Sequence, residues 1–73
     1  MPHIVINLYP GLPEEKKVKI AQEITKIIHE QANKPEKYIS VDIKEVPENE
    51  WMEKIYATEI KPNFNRLYKK PEY

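Results

Sequence analysis

The second residue of the chain has the most chemistry to offer. In "MPHIVINLYPG" the nitrogen of Pro2 is an amide while Met1 precedes it, with neither an N–H nor basicity. A small second residue normally allows methionine removal, and the nitrogen then becomes a secondary amine on a rigid ring. A terminal amine has a reference pKa of about 7.7–8.0, and burial or a neighbouring cation lowers it. Such a group is a general base near neutral pH, a role worth on the order of 10²–10⁴-fold in rate. The plainer alternative is a stiff first residue of a strand, where a proline is tolerated.

Other machinery is scarce. The chain has no cysteine, so it has neither a disulfide framework nor a thiol nucleophile. His3 and His29 fall on different elements with no metal-type spacing around them, so no metal site is expected. His3 either shapes a site beside Pro2 or is an ordinary strand-end residue, and His29 reads as a solvated helix residue. Gly11 is the single glycine, which excludes glycine-rich phosphate loops. Ser40 has no histidine at a triad-like spacing. Trp51 follows a break at Pro47 and is either a core residue or a pocket wall.

The elements that must position these residues follow from periodicity. Ile4, Ile6 and Leu8 alternate with His3, Val5, Asn7 and Tyr9, which predicts a strand over 3–9. "PGLP" breaks it, with Pro13 expected in the first turn of a helix and Glu14 and Glu15 favoured by the helix dipole. Val18, Ile20, Ala21, Ile24, Ile27, Ile28 and Ala32 form an apolar stripe that carries this helix to about Asn33. "YISVDIKEV" is a second strand, Ile39, Val41 and Ile43 facing one way and Ser40, Asp42 and Lys44 the other. The unit is β-α-β, which implies parallel strands. From Glu50, the residues Trp51, Met52, Ile55, Tyr56 and Ile60 have helical spacing, with a stop or kink at Pro62. Phe64, Leu67 and Tyr68 suggest a short further turn, and "PEY" a tail.

Seventy-three residues make one domain, expected over 2–73, close to the size at which a core is marginal and oligomers are common. A lone parallel strand pair is too small a sheet, so a second copy is expected to extend it to four strands. Twelve basic and twelve acidic residues balance, and Arg66 is the single arginine, which argues against a nucleic-acid partner. No apolar run approaches the length of a membrane span, and the head of the chain has no signal-peptide pattern. The expectation is a soluble cytoplasmic protein.

As a whole the chain resembles the 4-oxalocrotonate tautomerase family. The resemblance rests on Pro2 opening the first strand, the long amphipathic helix, "ISVDIKEV", and the aromatic Trp51 shortly after that strand. The tail, "PENEW" and then "EIKPNFNRLYKKPEY", is similar to the small bacterial branch that includes phenylpyruvate-type tautomerases. The resemblance implies cofactor-free proton transfer on a small keto or enol acid, with Pro2 as the base and Trp51 lining an apolar pocket. It implies a homodimer in this branch, the hexamer being the other assembly of the family. Better-known members grip substrate carboxylates with arginines before the first helix and in the second strand; the matching positions here are Leu12 and Ser40. Two other readings stay open: a cofactor-free hydratase or dehalogenase using the same proline, and a non-catalytic dimeric interaction protein.

Overall fold

Alternating apolar residues produce β1, His3–Leu8, and β2, Ser40–Glu45, in a computed structural model that describes residues 1–73. The strands pair in parallel, His3 opposite Ser40, Ile4 opposite Val41, Ile6 opposite Ile43 and Asn7 opposite Lys44. Helix α1, Glu14–Ala32, connects them. This is the β-α-β unit that the periodicity predicts, with a two-stranded sheet. One sheet face meets α1, whose Val18 and Ala21 lie beside Val41 and Ile43. The opposite face carries His3, Val5, Ser40, Asp42 and Lys44, all exposed, and a half-buried Asn7.

Gly11 turns the chain into α1 with φ 113°, a left-handed conformation that side chains resist. Pro13 stands just outside the helix rather than in its first turn; its carbonyl accepts the N–H groups of Lys16 and Lys17 at 3.0 and 3.2 Å. Glu45 then ties this entry to the end of β2, accepting from Lys17 Nζ at 3.2 Å and from the Gly11 N–H at 3.4 Å. At the other end Asn33 adopts φ 54° as a left-handed cap. His29 is not simply solvated: its Nδ1–H donates to the Lys34 carbonyl at 2.6 Å and closes the helix end.

The C-terminal arm departs most from expectation. It runs from α2, Glu48–Trp51, through a π-helix, Met52–Ile60, into a 3₁₀ segment, Lys61–Arg66. Pro62 does not stop the helix but changes its class. In an α-helix its ring would press on the carbonyl of the residue four earlier and leave that carbonyl without a donor. The wider ladder lets the Lys61 N–H reach the Tyr56 carbonyl, and Asn63 Nδ2 donates to the Glu59 carbonyl at 2.9 Å. Glu50 hydrogen-bonds and attracts the Lys54 ammonium at 2.5 Å, which raises its pKa above the ordinary lysine value. The further turn expected from Phe64, Leu67 and Tyr68 is present in part: Phe64 lies in the 3₁₀ segment and its carbonyl accepts the Leu67 N–H at 3.3 Å, but Leu67 itself is extended and Tyr68 fully exposed.

Ile55 on the arm is the one buried residue, 8% exposed, while Val18, Ile27 and Met52 are 50%, 55% and 56% exposed. The radius of gyration is 13.9 Å, against about 11 Å for a compact chain of this length. A single chain therefore leaves its apolar stripes uncovered. No helix is long and apolar enough to cross a membrane.

Candidate active site

Two of the residues singled out by sequence meet at the head of the sheet. The Ser40 N–H donates to the Pro2 carbonyl at 3.2 Å, so the start of β2 fixes the residue that opens β1. The Ser40 hydroxyl lies 2.6 Å from His3 Nδ1, which brings His3 into the same group. Pro2 is half-buried, whereas Met1 is 94% exposed.

Trp51 and Leu12 lie at the other end. Leu8, at the end of β1, is six residues beyond Pro2, and at about 3.3 Å per residue the two lie about 20 Å apart. Because the strands are parallel, both the loop with Leu12 and the helical turn with Trp51 leave from the far end. One chain thus separates Pro2 and Ser40 from Leu12 and Trp51.

Around Trp51 the chain builds an aromatic pocket of about 460 Å³, lined by Asn7, Leu8, Tyr9, Met52 and Tyr73. The Tyr9 ring meets Trp51 edge-on, centroids 5.3 Å apart at 88°. Trp51 Nε1–H donates to the Tyr73 hydroxyl at 3.0 Å, and the Tyr73 ring lies 5.7 Å from that of Tyr56. The final residues are thus no free tail: Tyr73 folds back to brace the wall. The sequence singled out neither Tyr73 nor Tyr9 for this role, and an isolated aromatic in a Pro- and Lys-rich stretch gives no periodic signal to find it by. Trp51 is half-buried and lines this pocket.

The two halves have complementary chemistry. The Pro2 end offers a nitrogen, a hydroxyl and an imidazole but no apolar wall. The Trp51 end offers a wall with one carboxamide, Asn7, beside which Lys44 stands on the neighbouring strand.

A family model described as "Tautomerase enzyme" matches residues 2–53, a span that starts at Pro2 and ends just past Trp51. Tautomerase PptA of Enterobacter sp. (strain 638) is 34% identical over 74 aligned positions, covering all of this chain and 97% of that protein. The protein of the same name from Escherichia coli (strain SMS-3-5 / SECEC) is 36% identical with the same coverage. Among solved structures, TomN, a 4-oxalocrotonate tautomerase homologue of the tomaymycin biosynthetic pathway, shares the fold with a TM-score of 0.67 at 24% identity, over 68% of this chain and 77% of that one. Another 4-oxalocrotonate tautomerase homologue gives 0.66 at 25% identity, over 70% and 81%. This chain belongs to the tautomerase family and is a tautomerase.

Proposed function

We propose that the enzyme ketonises the enol of a 2-keto acid bearing an aryl or other apolar group, with the Pro2 amine as base and then acid and no cofactor. The neutral amine takes the enol hydroxyl proton. As the C2–O bond becomes a carbonyl, the C2–C3 π electrons move to C3, and the ammonium delivers a proton there. The observation that carries this reading is the seating of Pro2: its carbonyl is fixed by Ser40, and only an exposed methionine covers its nitrogen. Removing Met1 would free the amine without undoing any hydrogen bond of the sheet.

The site is completed by a second copy. An isologous, antiparallel pair brings the head of one β1 toward the far end of its partner's sheet, so that Pro2 and Ser40 of one chain face a partner's Trp51 and Leu12. The same pairing extends the sheet to four strands and covers stripes that one chain leaves open. A dimer suffices, and a hexamer built of such pairs would keep the arrangement.

The test is ketonisation of phenylenolpyruvate by protein whose mass shows Met1 removed. Acetylation of the terminal amine should abolish turnover. Unchanged turnover after complete acetylation removes Pro2 from the mechanism.

A further inference from the structure

We infer that His3, oriented by Ser40, is the group that receives the substrate's carboxylate, so that the site selects acids with one carboxylate and an uncharged far end. The inference rests on the tautomerase reading above and adds to it a residue that selects the substrate.

The geometry begins with the cross-strand pair. Register sets His3 opposite Ser40 on the exposed sheet face, and the contact between Nδ1 and Oγ is 2.6 Å. This contact holds the imidazole by one nitrogen, and Nε2 has no partner in the chain. With the Ser40 hydroxyl donating to Nδ1, the ring carries its N–H on Nε2 and can donate it to a carboxylate in a set direction. Adjacent Cα atoms are about 3.8 Å apart, so the ring is rooted next to the Pro2 amine. In a 2-keto acid only C2 separates the carboxylate from the carbon that Pro2 protonates. The two functions must come from neighbouring positions, and Pro2 and His3 are neighbours.

Of the other cations in the same chain, Lys37 is nearest to Ser40 in sequence, with its ammonium 5.1 Å from the centroid of the Tyr38 ring, and several more are engaged or distant. Lys17 is held by Glu14 and Glu45, Lys54 by Glu50, and Arg66 Nε donates to Asn63 on the far arm. Lys44 shares the face with Ser40, but four residues along the strand is about 13 Å. Between them, Asp42 projects from the same face, about 7 Å from Ser40. A second carboxylate lying along this face would meet a like charge. A monoacid would not.

A simple cross-strand pair would also give a short His3–Ser40 contact, and the experiment must separate the two. Isothermal titration calorimetry with trans-cinnamate and trans-cinnamamide probes the carboxylate without turnover. Wild-type protein should prefer the acid by about tenfold, since hydrogen bonds to a charged group outweigh neutral ones. His3→Leu should bring the ratio close to one, and His3→Gln, which keeps an N–H, should retain part of it. Ser40→Ala, which frees the ring, should fall between. In phenylenolpyruvate turnover, His3→Leu should raise KM about tenfold and leave kcat within about threefold. A purely structural pair would lower thermal stability and leave the acid-to-amide ratio unchanged. That result in folded His3→Leu, or no preference in the wild type, overturns the inference. If His3→Leu does not fold, the ratio in Ser40→Ala decides, and no decrease overturns it. Failure of the tautomerase reading is seen separately, as absent ketonisation or indifference to acetylation, because the binding ratio needs no catalysis.

Discussion

Mixing two impaired chains tests the composite site directly. Pro2→Ala keeps a primary amine but loses the fixed ring, and Trp51→Ala removes the aromatic wall. Burying an aryl group is worth about 1.5–3 kcal/mol, so the second variant should lose about 10–100-fold in kcat/KM on an aryl enol. The chain places these residues about 20 Å apart, and in the proposed assembly each site draws them from different copies. In an equimolar random mixture, a site is intact when its Pro2 comes from a Trp51→Ala chain and its Trp51 from a Pro2→Ala chain. Each condition is met about half the time, which gives about a quarter of wild-type activity. The fraction is the same for a dimer and a hexamer. The two variants are refolded from urea together and separately, with circular dichroism to show that each regains its helices. Phenylenolpyruvate ketonisation is then followed by absorbance. Recovery well above both parents supports the composite site. A mixture no more active than the mean of its parents would mean that one chain supplies both residues, and the reasoning from parallel register would fail.

Ile55→Ala should lower stability by about 2–5 kcal/mol in urea titrations at fixed chain concentration, because it deletes the one buried side chain; a loss under about 1 kcal/mol would deny Ile55 that role. Sedimentation of the wild type at micromolar concentration should show no folded monomer, and a stable monomer would refute assembly through the open stripes. Phenylenolpyruvate should be ketonised with higher kcat/KM than 2-hydroxymuconate, since a second carboxylate buried without a cation costs several kcal/mol. The reverse order would point to Lys44, which stands opposite Asn7 at the edge of the aromatic pocket.

The strands and α1 are legible in the sequence because their apolar residues repeat with the period of the element. Pro2 is legible as a chemical group, not as part of a site. Its neighbour Ser40 is 38 positions away, and only the parallel register sets them together. The same register hides the separation of the two residues: Trp51 follows β2 closely in sequence, yet the strand carries the chain away from Pro2. The arm misleads for another reason. Pro62 reads as a break because the spacing of apolar residues records a helical face and not the hydrogen-bond ladder beneath it. Asn63 and the wider turn restore the partners that a proline removes, and neither is visible as a pattern.

The π-helix makes the length of the arm a fixed quantity. Each of its hydrogen bonds spans five residues where an α-helix spans four, so Met52–Ile60 holds residues that an α ladder would not need. Deleting one of them would let the ladder tighten and turn everything beyond it by about 100°. Tyr73, which follows the 3₁₀ segment and accepts from Trp51 Nε1 at 3.0 Å, would then arrive on the wrong side. An insertion would have the opposite sense and the same effect. The arm should therefore accept exchanges of residue far more readily than changes of residue number.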